Sequence, residues 1–314
     1  MLLALPALAL GRVVARADEA DLEKQVQGVV AGAGDAVQAS VWFGAPSGEP
    51  IYQRAADRAM PAASVVKTAI LIELFAAHAG HLDDPLDAAV EAILSDDKHP
   101  AWAPFATAPR GEIRAALHAA SVRTIGAIMM GSKRASNAVY NAAANLAIAA
   151  LGGPAEVTAK ILARDPAFGG VVVRRYMLTA RTTGGDNDAT PAALAAVLAS
   201  IATGKVPGDV DAATVDAMAQ AMMKTSDPAL GTHRHKDGNL DSDPMVCLKT
   251  GFYVRKGKPP LVYVVGAMLP ARPAGKRDDA SRRLEKLTVA VQALLRARAT
   301  RPGCCDAQVP AAGN

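Results

Sequence analysis

From residue 64 to about residue 223 the chain reads as helices and alanine-rich loops, and strand patterns occur only before and after that block. Ahead of it, residues 18–30 space Leu22, Val26, Val29 and Val30 at helical intervals. The next stretch, QASVWFGAPSGEPIYQRAA, alternates around a Pro/Gly/Ser turn and predicts a hairpin. Behind the block, PMVCLKTGFYV and PPLVYVVGAML read as strands. Asp278-Asp279 then caps an amphipathic helix carrying Leu284, Leu287, Val291, Leu294 and Leu295. An isolated hairpin is only marginally stable in water, so the two ends of the chain must meet in one sheet. The expected fold is α+β: an antiparallel sheet flanked by the terminal helices, with an all-α lobe of about residues 64–225 inserted into it. The sequence shows no internal repeat.

With 314 residues, 51% of them hydrophobic, the chain can bury the core of one large domain or of two lobes. Only 4% are aromatic, so that core is aliphatic and alanine-rich. The net charge of +4 comes without a Lys/Arg run interleaved with aromatics, which argues against a nucleic-acid partner. Residues 2–10 are apolar and Ala15-Arg16-Ala17 fits a small-x-small cleavage site. Residues 1–17 are therefore expected to be an export leader, though one lacking a basic start. The folded domain is expected at residues 18–300 and a disordered Pro/Gly/Ala-rich tail at 301–314. No other stretch has the length and apolarity of a membrane span. Three cysteines, Cys247, Cys304 and Cys305, make no disulfide framework.

The stretch ASVVKTAILIELFAAHAG, residues 63–80, sets a chemical puzzle. Ser64 and Lys67 lie one turn apart and open a nearly unbroken apolar run. A helix that apolar is buried on most sides, and a lysine entering it needs a partner or a task. Ser64 falls at the junction of hairpin and helix, where free N–H groups and the positive end of the dipole favour an oxyanion. The i, i+3 spacing places Lys67 on the same face. A serine hydroxyl is a weak nucleophile until a base takes its proton, and a lysine serves when burial or a second cation lowers its pKa. The expected second cation is Lys249 in the strand VCLKTGFYV, with the Thr250 hydroxyl for a substrate carboxylate and Gly251 leaving room for its approach. Two similar patterns are set aside. Ser95-x-x-Lys98 lies in SDDKHPAWAPFATAPRGE, read as a long inserted loop, and Lys224-Thr225-Ser226 is placed at a helix end.

These two motifs, in this order, resemble the class A β-lactamase and penicillin-binding serine hydrolase superfamily over roughly residues 20–298. The stretches NLAIAALGGPAEV and ATPAALAAVLASIATGKV are similar to segments of its helical lobe. The resemblance implies a two-lobe serine hydrolase, exported to the periplasm or beyond the cell and acting as a monomer. Ser64 is its expected nucleophile and Lys67 the base. Lys249 and Thr250 would hold a substrate carboxylate, and the N–H groups of Ser64 and Phe252 would form the oxyanion hole. The substrate is expected to be a β-lactam-like small molecule or a peptide, and no metal or cofactor is implied.

Two departures from that family stand out. Its Ser-x-Asn motif has no clean match in AIMMGSKRASNAVYNAAANLAIAALGG. Ser132 is the favoured proton-relay serine, which puts Arg134 at the asparagine. Val139 with Asn141, and Ser136-Asn137, remain as other alignments, the last pair also reading as a helix cap. The second departure concerns hydrolysis. Class A enzymes carry a deacylating glutamate after the Gly-Gly helix, and this chain has no glutamate between Glu156 and Glu285. Arg174-Arg175 falls near that place, and Asp165, Asp186 and Asp188 read as loop and capping residues. His233-Arg234-His235, despite a metal-like spacing, is expected in a surface turn.

Overall fold

A computed structural model describes residues 7–46, 49–86, 88–181, 185–271 and 277–301; the side chains of residues 7–18, 88–90 and 277 lie outside the description. In chain order it contains α1 (Ala7–Ala33), β1 (Gln38–Gly44), β2 (Tyr52–Arg54), β3 (Met60–Pro61), a 3₁₀ turn (Ala63–Val66), α2 (Lys67–Ala77), α3 (Ala88–Ser95), α4 (Thr107–Leu117), α5 (Val122–Met130), α6 (Asn137–Ala150) and α7 (Pro154–Arg164). There follow β4 (Asp188–Ala189), α8 (Pro191–Ala202), α9 (Ala212–Ala221), β5 (Met223–Asp227), β6 (Gly231–Leu240), β7 (Met245–Val254), β8 (Leu261–Leu269) and α10 (Arg277–Ala299).

The ends of the chain do meet in one sheet. Its strand order is β2-β1-β8-β7-β6-β5, with every neighbour antiparallel. Strand alternation sends side chains to two separate cores. From β7, Val246, Leu248 and Phe252 pack with the helical lobe, while Met245, Cys247 and Tyr253 pack under α1 and α10. The single cysteine among the described side chains, Cys247, is buried there, its Sγ 3.2 Å from the Thr288 hydroxyl.

In the helical lobe, α2 is the central rod, with Ile70, Leu71, Ile72, Leu74 and Phe75 all buried. Gly126 of α5 lets that rod come close, since a Cβ there would stand 2.4 Å from the Phe75 ring. Ser121 and Ser136 cap α5 and α6, accepting from the N–H groups of Thr124 and Val139. The segment expected as a long loop at 95–112 is shorter than that. It begins after Ser95, and α4 already starts at Thr107. Trp102 and Phe105 anchor it in the core, and the Trp102 indole donates to the Ile93 carbonyl at 2.6 Å. No single helix among the described residues is long and apolar enough to cross a membrane. Residues 1–6 of the expected leader and 302–314 of the expected tail, with Cys304 and Cys305, lie outside the described residues.

Candidate active site

Ser64 sits in the 3₁₀ turn that leads into α2 and lines a cleft of about 460 Å³ between the helical lobe and the sheet. The chain enters that turn through Ala63 at φ +46°, a left-handed conformation that a residue with a Cβ adopts only at some energetic cost. The Ala62 N–H, donating to the Asn187 carbonyl at 2.7 Å, fixes the approach.

Three residues later, Lys67 is fully buried. Its ammonium nitrogen donates to Oδ1 of Asn141 at 2.9 Å and lies 3.2 Å from the centre of the Tyr140 ring. Asn141 is itself held from behind, its Nδ2 donating to the Asn137 carbonyl at 2.9 Å and to its side-chain oxygen at 3.0 Å. No carboxylate pairs with Lys67 among the described residues. Burial, with the charge of Lys236 added, holds its pKa well below the ordinary lysine value.

Lys236 comes from β6, and its ammonium lies 4.7 Å from the same Tyr140 ring. Burial pulls its pKa down to about 8 against the opposing pull of Asp237. The Tyr140 ring thus lies against both lysines. Burial raises the phenol to about 12, so it is neutral at ordinary pH.

Strand β6 forms the far wall. β5 covers its outer edge only as far as His235, which pairs with Met223. Residues 236–240 have no strand on that side among the described residues and face the Ser64 turn instead. Gly238 is what permits this approach: a Cβ there would stand 2.9 Å from the Ser64 backbone nitrogen and 3.0 Å from the Ala63 Cβ.

Asn239 and Leu240 continue the lining. Opposite them, Arg175 and Asp186 belong to the segment between α7 and β4. Asp186 is bound by Arg175 at 2.6 Å and also by Arg181. The neck of the segment is closed by the pairing of Val172 with Asp188 and by an Arg174–Asp188 contact of 2.5 Å. Asp165 caps a short 3₁₀ turn, accepting from the Ala167 N–H at 2.8 Å. No group of three or more His, Cys, Asp or Glu residues among those described is arranged to hold a metal.

The structure brings Ser64 to this cleft, with Lys67 buried one turn behind it, but not the other expected site residues. Lys249, Thr250, Gly251 and Phe252 lie on β7, an interior strand between β6 and β8. Lys249 stands across from Asp237 and binds its carboxylate at 2.7 Å. Thr250 is buried and donates to the Lys236 carbonyl at 2.6 Å, and Phe252 is buried between Arg234 and Val262. These residues back the cleft strand without reaching the cleft. The cation beside Tyr140 is Lys236, in the sequence Lys236-Asp237-Gly238, which reading the chain alone passes over.

Ser132 is exposed just beyond α5, where its hydroxyl donates to the Ala127 carbonyl at 3.4 Å. It occupies the end of a helix and not the cleft. His233, Arg234 and His235 lie within β6 and not in a turn, and Lys224, Thr225 and Ser226 lie in β5 and not at a helix end. Of the alternatives for the Ser-x-Asn motif, the one that uses Asn141 has its asparagine bonded to Lys67. Tyr140, which precedes Asn141, lies against Lys67 and Lys236 and is not singled out by the sequence.

No protein-family model matches the chain, and no curated protein matches it. Solved structures do. A point mutant of PBP-A, determined as its acyl-enzyme with penicillin G, aligns over 88% of this chain and 97% of its own at 18% identity and TM-score 0.58. A representative class A β-lactamase from Bacteroides cellulosilyticus aligns over 89% and 99% at 14% identity and TM-score 0.64. The β-lactamase from Sphaerobacter thermophilus aligns over 86% and 97% at 20% identity and TM-score 0.57.

Proposed function

We propose that this chain, folded as class A β-lactamases and PBP-A are folded, is an exported serine hydrolase that forms an acyl-enzyme on Ser64 with β-lactams or D-Ala-type peptides. The observation that carries the reading is Lys67. It is a fully buried lysine without a carboxylate partner, one turn from a serine that lines the cleft. A neutral amine in that position can take the Ser64 proton as its oxygen attacks the carbonyl. The N–H groups of Ser64 and of Asn239, which follows Gly238 on the open edge of β6, would receive the developing oxyanion. Lys236, still charged at neutral pH, would seat the substrate carboxylate in place of the Lys249 pair.

The test is intact-mass analysis of the protein with penicillin G over time, with peptide mapping of the adduct. One acyl group on Ser64, lost in Ser64→Ala, is the expected result. No adduct from penicillin G or from an activated ester would instead favour a non-catalytic binding module.

A further inference from the structure

We propose that Asn187 is a positioning residue for the nucleophile: from the opposite wall of the cleft it holds the turn that carries Ser64 in the strained form seen here. The inference rests on the reading of Ser64 as nucleophile and goes beyond it. Asn187 lines the cleft yet is only 3% exposed, and it belongs to the segment between α7 and β4. Its carbonyl accepts the Ala62 N–H at 2.7 Å. Ala63 follows at φ +46°, and Ser64 comes next. An alanine keeps a left-handed conformation only where its surroundings over-determine it. The bond to Asn187 fixes the chain immediately ahead of that alanine.

What fixes Asn187 is its own side chain. Its Oδ1 accepts from the N–H groups of Arg174 and Arg175 at 2.9 and 3.0 Å, and its Nδ2 donates to the Arg175 carbonyl at 3.2 Å. A buried amide engaged at both ends has one orientation, so the carbonyl beside it is placed as well. The Asn187 N–H donates to Oδ1 of Asp186 at 3.0 Å, and Asp186 is also bound by Arg175 and Arg181. Arg181 in turn donates to the carbonyls of Ser242 and Asp243, in the turn between β6 and β7, at 2.9 and 3.0 Å. A run of hydrogen bonds thus leads from that turn round the cleft to the residue two before Ser64. The pairing of Val172 with Asp188 and the Arg174–Asp188 contact do not use the amide, so the neck of the segment stays closed without it. Losing the amide therefore loosens the Ser64 turn and leaves the fold in place. A nucleophile misplaced by about 1 Å loses on the order of 10²-fold in rate.

The test is quenched-flow acylation by penicillin G read by intact mass, which yields an amplitude, a rate at saturation and an apparent affinity. The amplitude counts folded protein, and the rate at saturation reports the placement of Ser64. Asn187→Ala is expected to keep most of the amplitude and to acylate about 10²-fold more slowly at saturation. Asn187→Asp retains an oxygen for the two N–H groups and is expected to recover to within about tenfold of wild type. A lower amplitude at an unchanged rate would assign Asn187 to stability alone and overturn the proposal. A loss confined to the apparent affinity would make Asn187 a substrate contact, and equal slowing in the alanine and aspartate variants would deny the amide its part; either result also overturns it. Should Asn187→Ala not fold, Asn187→Ser, whose single hydroxyl is too short to serve both N–H groups, is read in the same way. If penicillin G and an activated ester both fail to acylate the wild-type protein, the reading of Ser64 falls, and this proposal with it.

Discussion

At the scale of single residues, the cleft is governed by two buried lysines that want opposite protonation states. For the proposed chemistry, Lys67 must be neutral to accept a proton, and Lys236 must be charged to hold an anion. Both sit in surroundings that disfavour charge, and the charge of Lys236 further lowers the affinity of Lys67 for a proton. The acylation rate is therefore expected to rise with pH as Lys67 loses its proton, well below the usual lysine range. It should then fall above about pH 8, as Lys236 is neutralised. Stopped-flow acylation by penicillin G from pH 5 to 10 measures this. A rate that climbs steadily past pH 9 would show that the charge on Lys236 is not needed. Removing the base itself, by Lys67→Ala, should slow acylation by about 10² to 10⁴ at pH 7 with the circular dichroism unchanged.

At the scale of elements, β6 decides the geometry of the cleft, and it is also where the sequence is hardest to read. Gly238→Ala would push a methyl against the Ser64 nitrogen and the Ala63 Cβ, both backbone-anchored. The turn must shift, so the substitution is expected to abolish detectable acylation and to destabilise by about 1–3 kcal/mol. Urea unfolding and intact-mass labelling on one preparation check both; full labelling would mean that the turn yields without harm. The neighbouring strands β7 and β8 were legible because both faces are buried, giving continuous apolar runs. β6 gives no such run. One face of GTHRHKDGNL looks into a polar cleft, and the other carries His233, His235 and Asp237. His233 donates to or accepts from Thr225 and Tyr263, at 2.9 and 2.8 Å, and burial keeps it neutral, its pKa near 4. A half-buried polar network of that kind satisfies a strand without apolar alternation, so the segment reads as a turn. The Lys-Thr-Gly of β7 then attracts the motif assignment by composition, although it pairs behind the cleft. The Ser64–Lys67 turn was legible for the converse reason: a cation before an apolar helix stands out in sequence alone. Tyr140 carried no such mark, because its place against Lys67 and Lys236 is set only where α2, α6 and β6 meet.

At the scale of the whole molecule, the cleft is better equipped to form an ester than to break one. The two carboxylates that line it are both engaged. Asp186 is bound by two arginines, and Asp241 accepts from the Ser281 hydroxyl at 3.2 Å. An arginine cannot take a proton from water, so Arg174, Arg175 and Arg181 offer no base. Penicillin G turnover is therefore expected to show a burst of about one equivalent followed by a slow phase, read by stopped-flow absorbance. Linear hydrolysis with no detectable acyl-enzyme would point to Asp165, Asp186 or Asp188 as the base, which substituting each by asparagine would reveal.

The closure of one sheet by the two ends of the chain has a consequence for biosynthesis. Ser64 and Lys67 belong to the first quarter of the polypeptide, but Lys236 follows Ser64 by 172 residues, and β8, which pairs with β1, comes later still. At translation rates of about 5–20 residues per second, the nucleophile waits roughly 10–35 s for the strand that completes its surroundings. A nascent chain thus holds Ser64 without the β6 edge that faces it in the folded protein. On the proposed function, acylating power would appear only when the last third of the chain has arrived, so that the serine would stay unreactive during synthesis.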